Sequence, residues 1–214
     1  MVTEKEHEEA QKEFFNKVCY EWDKTFDSKR EEQDLLVKEI GIKGDYRILD
    51  VATGIGVMIP SYLKHLDTGV VKAIDYSENM ISVALQRFPP EKYPNVSLEV
   101  MNLFDLDEPE TYDLIVCYSC LPHFYDHDRA VAVMAKALKK GGRLAVCNLK
   151  YHHISHADSE DRKKMMEKMP EHRFLTIPQL LTICLDQGLE LSYAVNNDDH
   201  TLIIVSKSDS EEKV

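Results

Sequence analysis

RILDVATGIGVMIP, residues 47–60, decides how the rest of the chain is read. The apolar run at Ile48 and Leu49 stops at an acid, Asp50, and then breaks into Ala52, Thr53, Gly54, Ile55 and Gly56. A strand that ends in Gly-x-Gly and opens into a helix makes a tight turn with little side-chain bulk, so a ligand can approach the backbone closely. The next apolar run, in VVKAIDYSENM, ends in Asp75. An acid at the tip of a second strand, roughly 20 residues beyond such a loop, is placed to accept hydrogen bonds from two ribose hydroxyls. Loop and acid together read as a site for an adenosine-bearing ligand.

The dinucleotide pattern G-x-G-x-x-G fails here. With its middle glycine on Gly54, Ala52 falls first and Val57 last. A pyrophosphate also wants a free helix N-terminus facing its charges, and Asp50 just before the loop is unwelcome there. A carboxylate at that place suits a cation. S-adenosylmethionine (SAM) carries a sulfonium and an ammonium and no phosphate, so the acid and the glycines fit it together. An NAD(P)-dependent oxidoreductase is disfavoured on the same residues.

Outward from the loop, short β-branched runs at 47–51, 70–74, 96–101, 114–118 and 144–148 alternate with helical patterns near 57–66, 78–88 and 127–139. Such alternation predicts a parallel sheet with helices on both faces. Two helices, 4–21 and 28–40, precede it, the first by the spacing of Phe14, Phe15, Val18, Cys19 and Trp22. A last helix, 177–187, has Thr176 as its cap and Gly188 as its stop. LELSYAV and HTLIIVSK then flank the turn 196–199, a hairpin signal. The expected division is a helical cap over 1–43, a main domain over 44–207 with a polar lid or insertion at 151–172, and a disordered tail at 208–214.

The 214 residues allow one domain with a sizeable core. A formal charge of −12 makes phosphate backbones and anionic membrane surfaces poor partners. No run approaches the roughly 18 to 20 apolar residues of a membrane span, and the acidic opening MVTEKEHEEAQKE does not read as a secretory signal. The five cysteines are odd in number and scattered, which reads as reduced thiols in a cytoplasmic protein. No sequence feature decides between monomer and homodimer.

ILDVATGIGVMIP with AIDYSENMI resembles the first two motifs of class I SAM-dependent methyltransferases. The resemblance continues through VSLEVMNLFDLDEPETYDLIVCYSCLPHF and AVAVMAKALKKGGRLAVCN, and FFNKVCYEWD is similar to the opening of ubiquinone- and menaquinone-type small-molecule methyltransferases. It implies an α/β, Rossmann-like fold: a seven-stranded, mostly parallel sheet with helices on both faces and a C-terminal antiparallel hairpin. It also implies roles. Asp50 would anchor the methionine ammonium. Ala52, Thr53, Gly54 and Gly56 would form the loop under the cofactor, with Ala52 in place of the commoner glycine. Asp75 would hold the ribose, with Tyr76 and Met80 beside the adenine. Asn102 stands where the family usually has Asp, and Leu103 would flank the base. Cys117 would lie under the methionine arm. The product would be S-adenosylhomocysteine, and the acceptor a small molecule.

Transfer from a sulfonium is a direct displacement that needs proximity, alignment and, for some acceptors, a base. His123 is the base candidate, with orientation of its loop as the bland alternative. Cys117 and Cys120 have the spacing of a redox or metal pair, but there is no second pair. His153, His156 and His200 could join a divalent metal site; a solvated polar lid is the favoured reading. The rival class is a non-catalytic SAM-binding or partner-binding protein.

Overall fold

The structure is a computed structural model that describes residues 3–26, 29–150 and 173–209. The expected lid at 151–172, with His153 and His156, and the tail beyond 209 lie outside the described residues.

Seven strands form one sheet: β1 (Arg47–Val51), β2 (Val70–Asp75), β3 (Val96–Val100), β4 (Tyr112–Tyr118), β5 (Leu138–Leu149), β6 (Leu189–Asn196) and β7 (His200–Lys207). Their order is β3-β2-β1-β4-β5-β7-β6. β1 to β5 are mutually parallel, while β7 runs antiparallel to both β5 and β6. The helices are α1 (Glu4–Phe26), α2 (Arg30–Ile40), α3 (Ile59–Leu63), α4 (Glu78–Arg87), α5 (His127–Ala137) and α6 (Ile177–Asp186). This is the expected Rossmann-like architecture with its terminal hairpin. Among the described residues no helix is long and apolar enough to cross a membrane.

The core lies in two layers, one on each face of the sheet. Ile48, Leu114 and Val116 point to the side packed by α1, α2, α3 and α4. Leu49, Val51, Ile115 and Cys117 point to the side packed by α5 and α6. Central strands buried on both faces read as continuous apolar runs, which is why β1 and β4 were legible as strands. Asp50 shares its face with Ile48, by the alternation of side chains along a strand.

Side-chain caps fix several helix starts. Ser77 accepts from Met80 N at α4, Asp126 accepts from Arg129 N at α5, and Thr176 with Gln179 forms a reciprocal capping box at α6. Gly188 follows α6 with φ +71°, the expected stop.

Three boundaries differ from the sequence expectation. α1 runs to Phe26, because no glycine or proline interrupts it after residue 21. α3 covers only Ile59–Leu63 of the expected 57–66. α5 ends at Ala137, and β5 starts at once, at Leu138. The reason is pairing: Thr111 N donates to Ala137 O, and Tyr112 stands opposite Leu138, so β4 draws the chain out of the helix early.

The expected effect of Thr176→Ala is a loss of about 1 kcal/mol in stability, the usual value of an N-cap. Ile115→Ala, at a fully buried site on a central strand, is expected to lose about 2–5 kcal/mol. Urea unfolding of both variants measures the two, and near-equal losses would contradict this core assignment.

Candidate cofactor and acceptor sites

The strand order reverses between β1 and β4, so the crevice at their carboxyl ends is the natural ligand site of the sheet. The loop after β1 opens there. Three of its residues hold left-handed backbone: Ala52 at φ +50°, Gly54 at +57° and Gly56 at +79°. Thr53 N donates to Ile74 O at 2.9 Å and ties the loop to β2. Gly56 is glycine by necessity, since a Cβ there would stand 2.8 Å from Phe88 Cε2. Gly54 faces open space, where a Cβ would meet only Met80 Sδ, at 3.9 Å. The turn is therefore pinned from behind and uncovered in front.

Asp50 and Asp75 flank it. Asp50 is 2% exposed and accepts from Thr53 Oγ1 at 2.6 Å and from Tyr62 Oη at 3.0 Å. Asp75 is 6% exposed and accepts from Gly54 N and Ser77 N, each at 2.9 Å. Burial raises the pKa of each carboxyl to about 6, and for Asp50 the charge of Asp75 adds to the rise. Among the described residues no lysine, arginine or histidine contributes to either site. Two acids are thus held ready around an open turn, among neutral donors only.

The remaining expected residues fall around this pair. Tyr76 is half-buried, and its hydroxyl is raised by burial and by the charges of Asp75 and Glu8. Met80 is buried behind Gly54. Asn102 Oδ1 accepts from Phe104 N at 3.1 Å, and its Nδ2 donates to Glu8 Oε1 at 3.4 Å. Leu103 is buried at the start of the short turn Leu103–Asp105. Cys117 lies on the sheet face opposite Asp50, with its Sγ 2.9 Å from Cys120 Sγ; both are free thiols. Cys120 Sγ donates to Val51 O at 3.3 Å. Burial pushes the thiols of Cys120 and Cys147 well above their ordinary range, which makes them poor nucleophiles.

His123 follows β4, as expected, but its ring packs edge-on against Phe15, with centroids 5.1 Å apart. Its carbonyl accepts from His7 Nε2 at 3.0 Å. His200 Nε2 stands 2.9 Å from Glu39 Oε2 on α2. Among the described residues no group of three or more His, Cys, Asp or Glu side chains is arranged to hold a metal.

Beside the crevice, a cavity of about 490 Å³ lies among the ends of β4, β5 and β7 and the start of α6. Cys117, Ser119, Asn148, Arg173 and Ile203 are among its lining residues. Ser119 holds φ +53°, and its hydroxyl is buried with no partner among the described residues. Left-handed backbone at a non-glycine residue tends to persist where function requires it.

Sequence reasoning missed Tyr62, whose hydroxyl holds Asp50. A tyrosine within the apolar segment VMIPSYL was the available signal. Asp50→Asn tests the cost of the buried charge. Both of its partners are hydroxyls that can reverse their hydrogen bonds, so the variant should fold. The folded protein keeps the proton on Asp50 up to about pH 6, whereas an unperturbed Asp releases it near 3.8. This group therefore lowers the stability of unliganded protein as pH rises through that window. Asp50→Asn should melt above wild type at pH 7, and the gap should shrink toward pH 4. A gap constant with pH would contradict the burial argument.

Residues 48–142 match the family described as methyltransferase domain. A ubiquinone biosynthesis O-methyltransferase of Coxiella burnetii is 29% identical over 108 residues, covering 50% of this chain and 44% of that protein. The chain spans half or less of the length of the curated relatives it matches. Among solved structures, a SAM-dependent methyltransferase from Aquifex aeolicus superposes with TM-score 0.70 at 20% identity, over 88% of this chain and 97% of that one. The [4+2]-cyclase SpnF superposes with TM-score 0.67 at 14% identity, over 85% and 81%. The fold alone thus accommodates more than one chemistry. Residues 48–142 match the family described as methyltransferase domain, and the sheet that carries them has a fold similar to that of the SAM-dependent methyltransferase from Aquifex aeolicus.

Proposed function

We propose that this protein transfers a methyl group from SAM to a small-molecule acceptor. The observation that carries the reading is the pair of buried carboxylates, Asp50 and Asp75, set around an open glycine turn with no cation beside them among the described residues. A buried charge without a counter-charge is expensive, and a cationic nucleoside relieves it. A pyrophosphate would aggravate it, which keeps the NAD(P) reading in last place.

When bound, SAM supplies an electrophilic methyl group on its sulfonium. The chain's own residues bind, orient and shield. Asp50 neutralises the ammonium, held rigid by Thr53 and Tyr62. Asp75 is aimed by two backbone amides and accepts from ribose hydroxyls. Met80, Tyr76 and Leu103 give the base apolar contacts, and Asn102 offers its second lone pair. The cavity at Cys117 and Ser119 receives the acceptor and excludes water from the transfer. The net charge of −12 favours a small acceptor over nucleic acid, and the buried free thiols favour a cytoplasmic setting.

His123 fits a positioning role better than that of a base, since its ring and its carbonyl are both engaged by α1. His123→Gln is therefore expected to retain most of the turnover, with the acidic limb of its pH profile unchanged. Loss of that limb, with SAM binding intact, would make His123 the base. A metal at His153, His156 and His200 is the alternative source of acceptor activation; loss of turnover with a chelator would favour it.

Calorimetric titration with SAM and S-adenosylhomocysteine tests the central reading. Both should bind at pH 7.5, and Asp75→Ala should abolish or greatly weaken both. Affinity should fall as pH drops below about 6, where the two carboxyls gain protons and lose their attraction for the cation, approaching tenfold per unit for each that must ionise. Tight NADH binding with no SAM binding would overturn the proposal. SAM binding without turnover across a broad acceptor panel would favour the non-catalytic rival.

A further inference from the structure

α1 crosses the carboxyl edge of the sheet like a strap. Near its start, Glu4 Oε1 accepts from Arg129 Nη1 of α5 at 3.1 Å. His7 Nε2 donates to His123 O, and Glu8 Oε1 accepts from Asn102 Nδ2. Further along, Lys12 Nζ donates to Glu78 Oε1 at 2.5 Å. Asn16 Oδ1 accepts from Ser77 Oγ at 2.7 Å and from Asn79 N at 3.1 Å. The helix thus ties the loops after β4, β3 and β2 together, and these are the loops that border the crevice.

Gln11 sits in the middle of this span. It is 1% exposed, and among the described residues neither its Oε1 nor its Nε2 has a hydrogen-bond partner. Its neighbours one turn away on the same face are His7, at the β4 loop, and Phe15, against the His123 ring. Phe14 and Val18, also on this face, are buried in the core. A carboxamide with both ends unpaired inside a protein is costly, and such groups in native structures call for an explanation. Gln33 on α2 is buried in the same state among the described residues, but its helix neighbour Arg30 bonds Val57 O and Ser61 Oγ, behind the loop.

We infer that α1 is part of the cofactor site and that the Gln11 carboxamide binds the polar edge of the nucleoside, donating to or accepting from its ribose hydroxyls. The inference rests on the SAM-binding reading proposed above. A carboxamide can do both with one group, since Nε2 donates and Oε1 accepts. The contact is neutral, so it does not distinguish sulfonium from thioether.

The test compares wild type with Gln11→Met, which keeps the length and removes the polar atoms, and with Asp75→Ala. Melting temperature without ligand and calorimetric affinity for SAM, S-adenosylhomocysteine and adenosine are measured for each. Gln11→Met should melt at or above wild type without ligand, because an unpaired buried amide has been removed. It should bind all three ligands more weakly, by a similar factor of about 5 to 10, the range of one buried hydrogen bond. Unchanged affinity for the ligands would overturn the inference, whatever the melting temperature. So would a loss confined to SAM. If Gln11→Met itself unfolds, Gln11→Glu replaces it: Oε1 remains as an acceptor and the affinity loss should persist for adenosine, with unchanged adenosine affinity again overturning the assignment. Ligand binding that is lost in Asp75→Ala but kept in both Gln11 variants would sink this inference and leave the SAM reading standing. Wild type that binds none of the three would sink both.

Discussion

Two carboxylates, taken out of water at the tips of adjacent strands, are the constraint around which this protein is arranged. Among the described residues, no basic side chain neutralises Asp50 or Asp75. They are held by hydroxyls and backbone amides, which fix their direction without quenching their charge. Direction is set by the chain itself. Gly54 N can reach Asp75 only because the loop after β1 turns left-handed at Ala52 and again at Gly54. Parallel pairing of Asp50 with Ala73 and of Val51 with Ile74 brings the ends of β1 and β2 level. The sheet, the turn and the acids are thus one device, and each is poorly explained without the others.

The division of labour between the two faces follows from it. Alternation along β1 sends Asp50 to the face of α1 and α3, where Tyr62 meets it. Alternation along β4 sends Cys117 to the face of α5 and α6, where the cavity opens. A ligand held by the acids and a second molecule in the cavity would approach each other across the ends of β1 and β4. Cys120, bonded to Val51 O, bridges that boundary. The same crevice thus accounts for a pair of buried acids and a roomy neighbouring cavity.

Much of this was legible in the sequence, and for definite physical reasons. Buried parallel strands read as unbroken apolar runs, and glycines that tolerate no Cβ announce a turn. The capping residue Thr176 and the stop at Gly188 were visible because local chemistry alone fixes them. What escaped was set by contacts far apart in the chain. The early end of α5 comes from β4, whose Thr111 bonds Ala137. The grip of Tyr62 on Asp50 spans 12 residues, and the packing of His123 under α1 spans more than 100. A histidine after a strand reads as a base until its neighbours are known.

α1 shows the same lesson from the other side. Its side chains serve both the core and the loops at the crevice. Phe14 and Val18 enter the core, while His7, Glu8 and Asn16 bond the loops at the crevice. Gln11 was the overlooked sign: a polar residue in step with Phe14, Phe15 and Val18. Such an interruption weakens a purely structural helix, because replacing the amide with an aliphatic side chain would pack at least as well. Its presence makes sense where one stretch of that face looks onto a ligand instead of onto protein. With a ligand bound as inferred above, α1 would order it while fastened by its own bonds to the loops after β2, β3 and β4.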